Sequence, residues 1–236
     1  MRRIWIILAI ALCAGVSAED GLLARWDFAD AKGADVPSSP GPAGEIVNLG
    51  STARLVADSR GILLRCEGGY KDRNKAGGFA VSKLDLDPAK PFTVLCDFTI
   101  DDRDFKEFHE LFGVFDGERG PGFRVCVFYG SIYIRSGDGK KVVQAGTNPA
   151  TVQLPFGRRA RLAAVYDGTR AELYLDGVKV ASKEMKITPC KSRTFTCGSF
   201  RVGFAYPLNG GLGRLAVYQR ALDFAEIVED ALESMQ

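Results

Sequence analysis

The sequence has a single histidine, His109, and no pair of cysteines at the close spacing typical of metal sites. Zinc sites in proteins are built from several histidine and cysteine ligands, many of them in close sequence pairs. The glycine-rich motifs that bind phosphate or dinucleotides are also missing, as is the G-x-S-x-G turn that presents a catalytic serine. These absences argue against zinc enzymes, nucleotide-binding enzymes and serine hydrolases with that turn.

The chain also lacks a surplus of charge of either sign. Lysine and arginine number 31 and aspartate and glutamate 29, which gives a formal net charge of +2. Two of the basic residues, Arg2 and Arg3, belong to a predicted leader, so the remainder has 29 of each sign. A neutral chain has no basic excess to attract nucleic acid or anionic lipid. We therefore expect neither as a partner, and no later apolar run is long enough to span a membrane.

The N-terminus has the pattern of a secretory signal peptide. Arg2 and Arg3 precede an apolar run at residues 4–12, and Val-Ser-Ala at residues 16–18 supplies small residues for cleavage. The run is shorter than the roughly 20 residues that a spanning helix requires. A lipid anchor on Cys13 is disfavoured because Leu12 stands where a small residue is expected. We predict cleavage after Ala18 and an exported mature chain of residues 19–236.

Five cysteines remain after this cleavage, in a compartment where disulfides persist. Cys190 and Cys197 flank the short polar segment KSRTFT, and we predict a disulfide between them, worth about 2–3 kcal/mol by closure of so small a loop. Cys66, Cys96 and Cys126 lie within alternating apolar patterns. Free cysteine packs as a small hydrophobic residue, so these three are predicted to be buried.

Alternating apolar and polar residues separated by turn signals run along almost the whole mature chain, which predicts β-strands. The segment at residues 35–44, DVPSSPGPAG, is predicted to be a surface loop. Residues 159–183 contain Asp-Gly at 167–168 and at 176–177, which predicts a three-strand meander with tight turns. The other predicted strands lie at residues 22–28, 61–68, 77–86, 92–100, 110–117, 122–130, 131–139, 140–146, 200–207 and 214–222.

Only the C-terminal segment has helical spacing. Ile227, Ala231 and Met235 recur on one face, and Asp223 is placed to cap the N-terminus of a helix over residues 224–235. A dozen short strands followed by one short helix predict an all-β fold. We expect residues 19–236 to form one antiparallel two-sheet jelly-roll sandwich with a short C-terminal helix.

Several segments resemble laminin-G-like domains of the concanavalin A-like lectin/glucanase superfamily. AVYDGTRAELYLDGVKVAS (164–182) is similar to the central meander of that family, and LLARWDFAD (22–30) is similar to its first strand. FTVLCDFTI (92–100) resembles its hydrophobic middle strand, and GGLGRLAVYQRALDFAEI (210–227) its closing strand and helix. The resemblance covers about residues 22–227. It implies two curved antiparallel sheets with the N- and C-terminal strands side by side.

The resemblance also bears on calcium, which some members of this family bind through carboxylates near the joined chain ends. Asp27 and Asp30 are present, but Gly213 and Arg214 stand where the family often has an acidic pair. Calcium takes six to eight oxygen ligands, usually including several carboxylates. We therefore expect no metal and no other cofactor, Asp27 and Asp30 being strand-end and turn residues and Arg214 a salt-bridge partner of Asp27.

Glucanases of the same fold carry their catalytic carboxylates on one strand in an E-x-D-x-(x)-E pattern, which this sequence lacks. Acidic residues do cluster in DDRDFKEFHE (101–110), which we interpret as a solvated loop with His109 at the surface. Glu107 and Glu110 are three residues apart, as on one side of a helical turn. We expect a protein that is not an enzyme. The alternative is a glycoside hydrolase with one carboxylate in this loop and another far away in sequence.

A candidate ligand surface follows from strand alternation. Where valine, isoleucine and leucine take the core face, their neighbours point outward. This predicts an outward-facing ligand-binding group on one sheet, made up of Arg124, Tyr133, Arg135, Glu172 and Tyr174. Exposed aromatic rings beside charged groups suit a sugar, although the same residues also serve to shield or pack a sheet. In the packing case the loops at 70–77 and 101–110 become the candidates.

The sequence thus predicts an exported non-catalytic module that recognises carbohydrate or an extracellular protein surface. Two alternatives remain: the glycoside hydrolase described above, and a structural or adhesive envelope protein without a small ligand.

Overall fold

The computed structural model describes residues 20–67, 75–101, 108–201 and 203–236, so the predicted signal peptide lies outside the described residues. Within them the chain forms sixteen strands and one α-helix. In chain order these are β1 (Leu22–Trp26), β2 (Asp35–Val36), β3 (Gly44–Val47), β4 (Ala53–Asp58), β5 (Gly61–Cys66), β6 (Gly78–Val81), β7 (Phe92–Ile100), β8 (His109–Phe115), β9 (Gly122–Phe128), β10 (Ser131–Gly137), β11 (Val142–Gly146), β12 (Ala160–Tyr166), β13 (Arg170–Leu175), β14 (Val178–Glu184), β15 (Phe195–Cys197), β16 (Gly210–Tyr218) and α1 (Phe224–Ser234).

The strands form two antiparallel sheets, which confirms the predicted sandwich. Sheet 1 has the order β14-β13-β12-β7-β16-β5-β4, with β1 paired to β16. Sheet 2 has the order β11-β10-β9-β8-β15-β6-β3-β2. The pairing of β1 with β16 brings the first and last strands together, as the family resemblance implied.

The core lies between the sheets and is filled by every second side chain of the central strands. On β7, Val94, Cys96 and Phe98 are fully buried, as the alternation predicted. Trp26 of β1 stacks on Phe195 of β15 at a centroid distance of 6.1 Å and so joins the two sheets. Burial of each such large side chain stabilises the fold by about 1.5–3 kcal/mol.

The predicted meander is confirmed over β12, β13 and β14. At its second turn Asp176 and Gly177 adopt φ angles of 50° and 79°. Two consecutive positive φ angles are the requirement of a tight hairpin turn whose twist matches its strands, and glycine adopts them without steric cost. The local Asp-Gly signal therefore determined this supersecondary structure.

Helix α1 is confirmed with its predicted cap. The Asp223 side chain accepts from the backbone N–H of Glu226 at 3.0 Å, and the Glu226 carboxylate accepts from the backbone N–H of Asp223 at 2.8 Å. Such a reciprocal cap satisfies two backbone donors that the first turn leaves free. Ile227 and Ala231 are buried against the outer face of sheet 1. The helix therefore covers that face.

Strand β4 was not predicted, and two other segments were assigned wrongly. The segment 35–44, predicted as a loop, contains β2 and the start of β3. Of residues 200–207, predicted as a strand, those that the structure describes form only an isolated bridge between Phe200 and Ala205, and the strand lies earlier, at β15. The reason is local backbone geometry. Gly198, Arg201 and Gly203 all have positive φ angles, and a chain with such angles turns instead of extending.

The predicted disulfide is also wrong, because Cys190 and Cys197 are both free thiols. Cys197 is buried opposite Phe112 of β8, whereas the Sγ atom of Cys190 lies 3.8 Å from the carbonyl oxygen of Val114 on the same strand. Phe112 and Val114 are separated by about 7 Å of strand. Although Cys190 and Cys197 are close in sequence, they therefore contact different positions on β8. Cys66, Cys96 and Cys126 are buried as predicted.

Candidate functional site

The structure distributes the five predicted ligand residues over two sheets. Arg124 lies on β9, and Tyr133 and Arg135 lie on β10, all in sheet 2, whereas Glu172 and Tyr174 lie on β13 in sheet 1. Their sequence neighbours do line the core, so the predicted alternation is confirmed. The single shared surface is wrong, because the outer faces of two packed sheets point in opposite directions.

On sheet 1, helix α1 covers the residues that were expected to be exposed. Tyr174 is only 4% exposed, and its ring lies 6.4 Å from that of Phe224. Its hydroxyl donates to Glu172 at 2.6 Å, and the Lys179 Nζ donates to the same carboxylate at 2.9 Å. The polar groups of Tyr174 and Glu172 are therefore engaged with each other, and the helix packs over Tyr174.

On sheet 2, Arg124 is also buried, contrary to the prediction, with an exposure of 3%. Its Nε donates to both carboxylate oxygens of Glu110 at 3.1 Å, and its Nη2 makes a further contact with Oε2. Aromatic rings surround the guanidinium, with Phe200 at 4.9 Å and Phe115 at 5.6 Å from Cζ. Burial by itself lowers the pKa of Arg124, but the Glu110 carboxylate outweighs burial and raises it. For Glu110, in turn, burial outweighs the attraction of the Arg124 guanidinium and raises the pKa of the carboxyl group.

Glu110 and His109 were predicted to lie in a solvated loop, and both are fully buried instead. The reason is that β8 begins at His109, so both residues belong to a strand paired with β9 and not to a loop. The His109 Nδ1 lies 2.9 Å from the carbonyl oxygen of Leu208. Glu107 and the acidic residues at 102 and 104 lie outside the described residues, as do residues 70–74 of the other candidate loop.

Tyr133 and Arg135 are half-buried on the outer face of sheet 2. Tyr133 pairs with Gly146, and a Cβ at position 146 would come within 2.3 Å of the tyrosine ring. Glycine at this position therefore lets the ring lie across β11. The Arg135 guanidinium covers the ring of Phe108 at 4.7 Å, and Phe108 stacks on Phe128 at 4.1 Å. Aromatic and cationic side chains are thus concentrated on this face.

A cleft of about 310 Å³ opens beside this cluster. Asp116 at the end of β8 accepts from the backbone N–H groups of Lys191 and Ser192 at 2.8 Å, which anchors the loop before β15 to the end of β8. Arg201 donates to the Asp116 carbonyl oxygen at 3.4 Å. The cleft is lined by residues from these three segments: Phe115, Asp116, Ser192, Thr194, Thr196 and Arg201.

The lining combines one aromatic ring with three hydroxyl groups, a carboxylate and a guanidinium. Its volume lies at the lower end of the range of ligand pockets, and few but well-placed polar groups around an apolar surface are typical of such pockets. The cleft was missed at the sequence level because its residues come from segments that only the fold brings together. Arg201 takes its place in this lining from a backbone conformation with a positive φ angle, 42°.

Asp27 and Asp30, the residues considered for calcium, lie at a short turn. The Asp27 side chain accepts from the backbone N–H of Ala29 at 2.9 Å and caps a short 3₁₀ turn, and Asp30 lies in that turn. Arg214 was predicted to form a salt bridge with Asp27. Its Nε atom lies instead 3.6 Å from a carboxylate oxygen of Asp97. Within the described residues no group of three or more His, Cys, Asp or Glu side chains is arranged to hold a metal.

The described residues include no helix with the length and apolar content needed to cross a membrane.

Solved structures of several proteins share the fold of this chain. No curated protein sequence matches the chain. Trypanosoma rangeli sialidase superimposes with a TM-score of 0.65 at 14% identity over 92% of this chain and 33% of the sialidase. The binding domain of Paraclostridial Mosquitocidal Protein 1 gives 0.69 at 13% identity over 91% of this chain and 52% of that chain. The binding domain of botulinum neurotoxin serotype C1 gives 0.69 at 9% identity over 92% and 53%.

The chain thus spans about a third of the sialidase and about half of the two toxin chains, and at these identities the similarity establishes the fold alone. The sequence itself matches a laminin G family model of the concanavalin A-like lectin/glucanases superfamily over residues 74–228. Since this match takes in well over half of the chain and agrees with the two-sheet architecture, the protein belongs to the concanavalin A-like lectin/glucanases superfamily as a laminin G-like domain.

Proposed function

We propose that this protein is an exported, non-catalytic module that binds carbohydrate in the cleft on the outer face of sheet 2. The observation that carries the proposal is the lining of the cleft, to which Phe115 contributes an aromatic side chain and Ser192, Thr194 and Thr196 contribute hydroxyl-bearing ones. A sugar presents an apolar ring face and a rim of hydroxyl groups, so it needs an aromatic surface with donors and acceptors beside it. The N-terminal leader pattern and the family support export.

Binding in the cleft is tested by replacing Arg201 with asparagine. Asparagine tolerates the positive φ angle at this position, so the fold is expected to be retained while the guanidinium is lost. We expect affinity for the best glycan of an array to fall roughly tenfold or more, the value of a hydrogen bond to a charged group. Isothermal titration calorimetry measures this effect.

The matched control is Arg193→Gln, which removes an exposed guanidinium that lies outside the cleft and contacts Asp85 at 3.5 Å. Its affinity is expected to equal that of the wild type. Carbohydrate binding in this cleft is rejected by either of two results. The wild type binds no glycan of the array, or Arg201→Asn binds the best glycan as tightly as the wild type does.

The absence of catalysis is supported by the engagement of Glu110. Glycoside hydrolysis needs two carboxyl groups that flank the scissile bond, one of them able to give up a proton. The Glu110 carboxylate instead accepts three contacts from the Arg124 guanidinium and is fully buried. Incubation with the retained glycans should leave their masses unchanged. Cleavage products that disappear in Glu110→Gln would establish a hydrolase.

Calcium is not required in this proposal. A cation that binds only the folded protein raises its stability by RT ln(1 + [L]/Kd). Because Asp27 caps a turn and Arg214 faces Asp97, we expect the same melting temperature in chelator and in millimolar calcium. A rise of several degrees in calcium would contradict this and point to ligands elsewhere in the chain.

A further inference from the structure

Tyr129 stands at the tip of the turn between β9 and β10 in a conformation that tyrosine seldom adopts. Its φ angle is 45°, that of the following Gly130 is 72°, and its side chain is 62% exposed. Tight turns of this kind favour Asn, Asp or Gly at the first position, because a bulky side chain is strained there. An exposed aromatic ring therefore occupies a strained position without being needed for the core.

The ring is the outermost member of a continuous set of aromatic side chains. Tyr129 meets Phe128 edge to face at 4.3 Å, and Phe128 stacks on Phe108 at 4.1 Å with an interplanar angle of 13°. Phe108 in turn lies under the guanidinium groups of Arg135 at 4.7 Å and Arg124 at 5.4 Å. The stack thus presents one exposed ring at Tyr129, and at its other end Phe108 contacts two guanidinium groups, of which that of Arg124 is buried.

The two charges differ in their partners. Arg124 is neutralised by Glu110, whereas the Nε and Nη1 atoms of Arg135 are buried with no hydrogen-bond partner among the described residues. The neighbouring Cys126 supplies no negative charge, because burial raises the pKa of its thiol to about 12. The Glu110 carboxylate, which Arg124 already engages, attracts Arg135 without a direct hydrogen bond. A guanidinium that is half-buried on an aromatic ring and whose buried N–H groups lack acceptors favours an anion, since desolvated cations are stable only when paired.

We propose that Tyr129, Phe128 and Arg135 form a second subsite that takes a sugar ring bearing an anionic group, carboxylate or sulfate. The ring stacks on Tyr129, and the anionic group pairs with Arg135. This inference rests on the carbohydrate binding proposed above and adds the class of sugar.

The subsite adjoins the cleft through Arg124. The Cζ atom of Arg124 lies 5.4 Å from the ring of Phe108 in the stack and 5.6 Å from the ring of Phe115 in the cleft. A single oligosaccharide can therefore contact both places. An anionic sugar at one end and a hydroxyl-rich sugar in the cleft would satisfy the two sets of side chains together.

The test compares Tyr129→Asn and Arg135→Gln with the wild type on an array of carboxylated, sulfated and neutral glycans. Asparagine suits the turn, so Tyr129→Asn is expected to melt at the same temperature as the wild type or higher. We expect this variant to bind anionic glycans roughly five- to tenfold more weakly, the value of an aromatic contact. Arg135→Gln should lose roughly tenfold or more and should lose the salt dependence of binding. The control is Val178→Thr, an exposed apolar side chain on sheet 1, which should leave affinity unchanged.

The results of this comparison distinguish the second subsite from the cleft. A preference for anionic glycans that both variants remove supports the subsite, and the array distinguishes carboxylate from sulfate as the source of the anion. If Arg201→Asn weakens binding but neutral glycans bind as well as anionic ones, or Tyr129→Asn binds as the wild type does, the second subsite is rejected while the cleft stands. If no glycan is retained, both proposals fail.

Discussion

Replacement of Asp97 by alanine is expected to lower the free energy of unfolding by about 3 kcal/mol, because two buried guanidinium groups lose a shared counter-charge and each keeps only one other, partly exposed carboxylate. Asp97 is fully buried on β7 and accepts from Arg159 Nη2 at 2.8 Å and from Arg161 Nη1 at 3.0 Å. It also accepts from the Ser234 hydroxyl at 3.1 Å, which ties the end of helix α1 to sheet 1. Urea unfolding of the two proteins measures the difference.

The control for Asp97→Ala is Arg214→Ala. Arg214 is the third arginine near Asp97, but its side chain is 40% exposed and its Nε lies 3.6 Å away. Exposed ion pairs contribute about 0–1 kcal/mol, so this variant should be nearly as stable as the wild type. If both variants lost the same amount of unfolding free energy, the buried contacts of Asp97 would contribute no more to stability than an exposed ion pair does.

The same carboxylate predicts an acid dependence of stability. Burial by itself raises the pKa of Asp97, but the Arg161 and Arg159 guanidinium groups outweigh burial and hold the pKa below its usual range. The stabilisation is then fully present above the unfolded-state pKa of about 4 and is lost as the pH falls through the folded-state value. Between about pH 4 and pH 2, unfolding free energy should decline more steeply in the wild type than in Asp97→Asn.

The second large effect is expected for Arg124→Met. The substitution keeps an apolar stem but leaves Glu110 buried and unpaired, which we expect to cost about 3–5 kcal/mol of unfolding free energy. The surrounding rings, including Phe200 and Phe115, would also lose their contacts with the guanidinium. Denaturant unfolding monitored by aromatic fluorescence measures the loss.

The double variant Arg124→Met, Glu110→Leu separates the cost of an unpaired charge from that of lost packing. Replacing a buried ion pair by apolar residues of similar volume is often neutral, so the double variant should recover most of the stability. The single variant Glu110→Leu completes the comparison. If the double variant loses as much unfolding free energy as the two single variants lose together, Arg124 and Glu110 are not energetically coupled.

The elements predicted correctly are those whose signal is local. Strand β7 coincides with the predicted residues 92–100, and helix α1 begins directly after its capping residue Asp223. The turn at Asp176 forms because two residues there adopt positive φ angles. Strand β15 was misplaced because it has only three residues, Phe195–Cys197, and takes its pairing from β6 and β8. Such a short strand carries little pattern of its own.

The candidate site shows the same division. Strand alternation placed Arg135 and Tyr174 on outward faces. It could not show that helix α1 packs over Tyr174 on sheet 1, whereas Arg135 on sheet 2 stays half-exposed. His109 and Glu110 have the composition of a charged loop, yet pairing with β9 makes them part of a buried strand. The cleft residues lie up to 86 positions apart, from Phe115 to Arg201, so no local pattern relates them.

The amino-acid sequence by itself determined the fold class, the meander, the alternation of the core strands and the capped terminal helix. These depend on backbone preferences and on side-chain periodicity, which act over a few residues. Only the tertiary structure decided which outward residues remain exposed, that Cys190 and Cys197 stay apart, and where the cleft lies. Those properties depend on which sheet each strand joins and what packs against its face, and these contacts form between residues that are distant along the chain.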